Sequence, residues 1–314
     1  ILEFGVDLNL TIPRIWFPLI NSKKIIPYYM LPQTRISIGT DFQKNIGLDK
    51  QSLNSIYSFN WSPNDWVKHM VQVLDIQYVR NLNPDRYYYV YNNAYNNLNS
   101  IAAPYYNDPS VADFYEQPVD PNNPKLLIPD GTTGFTNAVL DDDLIPPGTP
   151  EYEGVSSIEE RRERLTENNL IFATNYSFSK NNKQGLNDNN FYRFIFKVEA
   201  AGNVLSLISN IVPFETNANN NNLVFGVPYS QYFKIEFDYI KHWDLSHSNV
   251  LAFRAFAGIA VPYGNANSIP FVRSYFAGGS NDNRAWTAYS LGPGRANNLN
   301  DFNEANFKIA LNFE

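Results

Sequence analysis

Arginine, glycine and aromatic residues are concentrated in one stretch, residues 269–294, IPFVRSYFAGGSNDNRAWTAYSLGPG. An aromatic entry ending in Phe276 leads into Ala277, Gly278, Gly279 and Ser280. Arg284, Ala285 and Trp286 follow, then Leu291, Gly292, Pro293 and Gly294. Glycine reaches positive φ without steric cost, so such a loop can reverse sharply and fold back on itself. A guanidinium on a compact loop tip presents a planar fork suited to a two-point bond with a carboxylate. That chemistry is recognition rather than bond-making. A glycine-rich surface loop with a solvated arginine is the alternative.

Other chemistry is sparse. His242 and His247 flank a tight turn without a carboxylate or second histidine at ligand spacing, and His69 is remote from both in sequence. The run Asp141–Asp143 offers oxygen ligands of the kind calcium takes, although acidic runs in loops are more often simply solvated. The absence of cysteine removes disulfides, thiolate zinc sites and cysteine nucleophiles. Neither a phosphate-binding glycine loop nor a Gly-x-Ser-x-Gly elbow is present. No nucleophile–base pair can be assembled, so neither an enzyme nor a cofactor is expected. A net charge of −7 without a basic cluster argues against a nucleic-acid partner.

The elements that must position the loop show a period of two. Leu2, Phe4, Val6, Leu8, Leu10 and Ile12 alternate with Glu3, Gly5, Asp7, Asn9 and Thr11. Similar alternation runs through residues 34–45, 52–61 (more loosely), 70–80, 170–179, 192–199, 233–239, 251–261 and 306–313. About nine segments result, each of roughly the length a tilted strand needs to cross a bilayer. A soluble sandwich alternates too. Two features favour a membrane barrel. The apolar faces carry almost no mid-strand charge, whereas the opposite faces carry Asp7, Asp41, Arg193, Lys197, Lys234, Glu236, Arg254 and Lys308. The long connections 81–169, 202–230 and 263–304 fall on one side, and the short ones 62–69, 181–190 and 245–249 on the other, as in an up-and-down outer-membrane barrel. Residues 13–33 break that rule, being long on the short side.

The 22 Phe, 21 Tyr and 5 Trp suit long strands and interfacial girdles. No apolar run approaches the ~18 residues of a membrane-spanning helix, so a membrane protein of this sequence must be a closed sheet. No charged start with an apolar run opens the sequence, so any secretion signal is expected outside it. The segment 81–169, rich in Asn, Pro, Asp and Tyr, reads as a long extracellular loop ordered in part by its aromatics. Ser157 and Glu160 suggest a capping box for one short exposed helix within it.

The 269–294 stretch resembles loop six of the BamA/TamA bacterial surface-antigen superfamily, especially its TamL-type outer-membrane proteins. The residues that carry the resemblance are Phe276-Ala277-Gly278-Gly279-Ser280, Arg284-Ala285-Trp286 and Leu291-Gly292-Pro293-Gly294. Residues 201–207 (AGNVLSL), 226–230 (GVPYS) and 257–264 (AGIAVPYG) look similar to the same family. The likeness implies an all-β fold, an antiparallel up-and-down transmembrane barrel of which about nine of about sixteen strands are present. Residues 1–314 would all be barrel, with 263–304 as loop six. Arg284 would anchor that loop to an acidic residue of the barrel wall, and Ala285 replaces the family's central glycine.

The resemblance further implies an outer-membrane component that inserts or exports β-barrel or surface proteins. A seam would open and pair with an incoming strand, beside a thinned bilayer. Its partners would be outer-membrane lipids, client outer-membrane proteins and a periplasmic or inner-membrane assembly partner. The seam strands and the periplasmic POTRA domains are expected outside this sequence. The rival readings are a passive outer-membrane channel or receptor barrel, and a soluble all-β glycan-binding protein.

Overall fold

The computed structural model describes residues 2–17, 26–44, 49–185, 187–217, 220–246, 249–279, 282–286 and 304–314. All nine alternating segments are strands of one antiparallel sheet. They are β1 (Leu2–Ile12), β2 (Gln33–Lys44), β3 (Lys50–Asn64), β4 (Val67–Asn81), β5 (Asn169–Asn181), β6 (Tyr192–Ala201), β7 (Tyr232–Ser246), β8 (Asn249–Pro262) and β9 (Phe307–Phe313). They pair in chain order and the sheet stays open between β1 and β9, as part of a barrel.

The register carries the apolar rows across every strand boundary. Leu8 faces Ile38, Leu53 faces Tyr78, Phe178 faces Phe196, Phe196 faces Phe237, and Ala257 faces Ile309. A slip of one residue would turn each strand over, so this continuity fixes one apolar face on the whole sheet. That face is open: Phe4, Leu8, Ile38, Phe237, Ile309 and Leu311 are all exposed. The polar face bears Asp75, Glu199, Lys234, Glu236, Asp238 and Arg254. The looseness of the third segment has a physical cause, because the ladder shifts register between Tyr57 and Ser58 on β3 and between Gln72 and Asp75 on β4. These bulges break the strict period of two without breaking the faces.

Connections are asymmetric. Between β3 and β4 only Asp65 and Trp66 intervene, and the Asn64 side chain accepts from Trp66 N and Val67 N at 3.0 Å each. The opposite end carries the connections after β4, β6 and β8. The first of these is a folded helical insertion, ordered in part by the aromatics Tyr87, Tyr88, Tyr115 and Phe135. It contains α1 (Asn92–Ala102), α2 (Asp130–Leu140) and α3 (Pro150–Thr166). Leu98, Val111, Tyr115, Leu126, Phe135, Val139 and Val155 form its fully buried core. The capping expectation fails: α3 begins seven residues before Ser157, at Pro150. Thr149 caps it by accepting from Tyr152 N, with proline in the first turn, where no N–H is needed. The sequence signal was real but sat inside the helix, where Glu159 pairs with Arg162.

Candidate functional site

The chain leaving β8 turns onto the polar face of the sheet. Ile269 and Tyr275 pack there against Ile171, Ala173, Ala201, Tyr232 and Ala260, a dry patch on an otherwise polar wall. Such a patch exists because β5, β6 and β8 place small residues where the incoming ring must lie. Gly258 on β8 shows the need, since a Cβ there would stand 2.5 Å from the Tyr275 phenol oxygen.

Around that patch the contacts are ionic. Arg273 Nη2 lies 3.1 Å from Asp75 Oδ2 on β4, and its Nη1 lies 3.5 Å from Glu199 Oε2 on β6. One guanidinium therefore spans β5, where Ala173 leaves room between the two carboxylates. Tyr232 donates its hydroxyl to Glu199. Lys234 Nζ donates to the Arg273 carbonyl at 2.9 Å, pairs with Glu236 at 3.1 Å and sits 4.5 Å from the Tyr275 ring centre. Arg254 makes a two-point bond with Asp238, at 2.8 and 3.1 Å. The side chains of Arg273, Asp75 and Glu199 are largely buried. Removing one member of a buried group of charges leaves the others uncompensated, a loss of about 3–5 kcal/mol.

Farther along, the glycines do what their chemistry allows. Gly278 and Gly279 take φ of 90° and 98°, and the loop closes through Gly279 N to the Trp286 carbonyl at 2.8 Å. Asp282 accepts from Gly278 N at 2.9 Å and pairs with Lys308 on β9 at 3.0 Å. Lys308 also donates to the Phe276 carbonyl at 2.7 Å. Burial opposes the Asp282 charge, but the Lys308 ammonium and the Gly278 N–H outweigh it and hold the carboxyl below its usual range. Tyr275 and Phe276 pair as a short strand with Glu304 and Ala305.

Phe276, Ala277, Gly278, Gly279, Arg284, Ala285 and Trp286 thus fall in one loop against the sheet. Ser280, Leu291, Gly292, Pro293 and Gly294 lie outside the described residues. Arg284 Nη2 reaches Glu314 at 2.8 Å, just past β9, and both side chains are more than half exposed. A second, more buried grip on the wall is made by Arg273, eleven residues earlier, between Asp75 and Glu199. The legible signal was an arginine beside the Tyr275-Phe276 pair together with carboxylates at polar-face positions of β4 and β6. Asp141, Asp142 and Asp143 are exposed, and among the described residues no trio of His, Cys, Asp or Glu is arranged to hold a metal.

The helical insertion touches the same loop. Phe271 packs against its core, and Arg164 of α3 donates to the Ile269 carbonyl at 3.4 Å. Insertion, loop and wall form one connected body of contacts.

A sequence model described as the Omp85 superfamily domain matches residues 27–306. No curated protein matches the chain. Among solved structures, the crystal structure of BamA from Haemophilus ducreyi lacking POTRA domains 1–3 is similar over 93% of this chain. It has 12% sequence identity and a TM-score of 0.47. The chain spans 39% of that BamA chain.

Proposed function

This chain belongs to the Omp85 superfamily, and on that premise we propose that it is barrel wall and inner loop of a bacterial outer-membrane component that inserts or exports other outer-membrane proteins. The observation that carries the reading is the loop leaving β8, held on the polar face by Arg273 between Asp75 and Glu199. In this reading 263–304 is the family's loop six, and the insertion 81–169 faces the cell exterior. The protein performs no covalent chemistry and needs no cofactor. Its work is mechanical: a rigid, loop-filled wall keeps the barrel's shape while an edge elsewhere receives client strands. Its partners are outer-membrane lipid, client barrel or surface proteins, and a periplasmic or inner-membrane component of the same machinery.

Two substitutions test this together in cells that depend on the protein. Arg273→Ala is expected to reduce assembled client barrels several-fold while the protein itself still reaches the membrane. Arg284→Ala, at an exposed pair, is expected to do less. Normal client levels in both variants would contradict the proposal. Large, steady conductance in planar bilayers that survives deletion of residues 277–286 would identify a passive channel instead.

A further inference from the structure

The connection between β6 and β7 does not face the lumen; it folds down over the apolar side of the sheet. A short helix, Asn203–Ser209, buries Leu205 against Leu170, Val227 and Tyr229, with Phe172, Ile76 and Tyr78 of the outer face packed alongside. Having anchored one row, the segment turns a second row away from the protein. Leu207, Ile208, Ile211 and Val212 are exposed, Ile211 to 83%. Beyond them a hairpin pairs Val224 with Val227 and carries Phe225 at its tip, 92% exposed.

Three observations bear on what covers this row. First, residues 203–230 contain a single charged residue, Glu215, whereas α3 at the same end of the barrel has eight charges in seventeen residues. A surface meant for water is expected to resemble α3. Second, Phe225 adopts φ 54° ahead of Gly226 at 74°, a two-residue turn in which the first position favours asparagine or glycine. Asparagine is plentiful at residues 217–222, yet the strained position holds an aromatic ring aimed outward. Third, the hairpin is fixed in place. Asn265 Nδ2 donates to the Asn222 and Tyr229 carbonyls at 3.0 Å each, and its Oδ1 accepts from Asn222 N at 2.6 Å.

We propose that residues 203–217 and 220–227 form a skirt that inserts Leu207, Ile211, Val212 and Phe225 into the outer leaflet of the membrane, extending the barrel's lipid-facing band sideways. The row is continuous with the outward apolar face through Leu205 and Leu170, which points to acyl chains rather than a protein partner. With no Lys or Arg in the segment, insertion rests on apolar burial and does not depend on anionic lipid or on salt. The inference rests on the membrane-barrel reading, so its test carries a separate reference for that reading.

The natural absence of cysteine makes site-directed spin labelling direct. The protein is reconstituted into phosphatidylcholine vesicles with one nitroxide at Phe225→Cys, Ile211→Cys, Phe237→Cys or Asp142→Cys. Collision with oxygen is then compared with collision with a water-soluble nickel chelate. The labels at 225 and 211 are expected to favour oxygen several-fold more than the label at 142, and to match the label at 237, with no change at high salt. Water-like accessibility at 225 and 211, or exclusion of both reagents as in a protein contact, would overturn the skirt. Water-like accessibility at 237 as well would instead overturn the barrel orientation.

Discussion

Arg273 illustrates how a single side chain converts a loop into part of a wall. Its two carboxylate partners lie on β4 and β6, which are not neighbours, so the guanidinium ties three elements at once. Arginine suits this role better than lysine because its fork offers two separated donors in one plane. Gly258 and Tyr275 form the apolar counterpart of that tie. Gly258→Ala is expected to push the Tyr275 ring off the wall and to cost about 1–3 kcal/mol of overpacking; increased hydrogen exchange at residues 271–276 would register it, and unchanged exchange would refute it. Asp282 adds a dependence on pH. Its carboxyl is depressed in the folded loop, so its contribution is complete above the usual aspartate value and is lost as pH falls through the depressed one. Fluorescence of Trp286 should therefore stay constant from neutral pH down to about 4 and change only in stronger acid. In Asp282→Asn the tether is weakened already at pH 7, so the neutral-pH spectrum should differ from wild type.

Among the elements, the insertion between β4 and β5 diverges most from its sequence reading. Periodicity made β1 and β7 plain because each buries nothing on one face and meets charge on the other. The insertion has no such period. Its helices bury scattered residues such as Leu98, Phe135 and Val155 against each other, and its Asn- and Pro-rich connections resemble an open loop until those contacts are seen. The same limit applied to the site. Arg284 stood out in its glycine setting, while Arg273, Asp75 and Glu199 lie far apart in sequence and meet only when β4, β6 and the loop converge. Alternation exposed the strands; it could not say which polar-face carboxylates would share a cation. If the insertion is an independently packed layer, Phe135→Ala should loosen it by about 3–5 kcal/mol. Protease cleavage within 87–166 should rise while the sheet stays intact. Equal loss of both would mean that the insertion and sheet unfold as one unit.

At the scale of the whole molecule, two surfaces with opposite solvents are built from one alternating code. The apolar face runs unbroken from β1 to β9, and near the short-turn end it is bordered by Lys180 over Tyr192 and Lys241 over Trp243, with 5.8 Å from each ammonium to the ring centre. Long cationic side chains beside aromatic rings are what a membrane–water boundary favours, since stem and ring stay in the apolar zone while the charge reaches water. From β4 to β9 the polar face is not left to water: the loop from β8 and its ionic partners occupy it, whereas Glu3, Gly5, Asp7 and Asn9 on β1 are exposed. A cysteine scan along Phe233, Lys234, Ile235, Glu236, Phe237 and Asp238 in intact membranes tests this division most directly. With a photoactivated hydrophobic diazirine dissolved in the lipid, whose carbene needs no thiolate, positions 233, 235 and 237 should react readily and positions 234, 236 and 238 should be protected. Equal reaction at all six positions, or the reverse phase, would contradict the account.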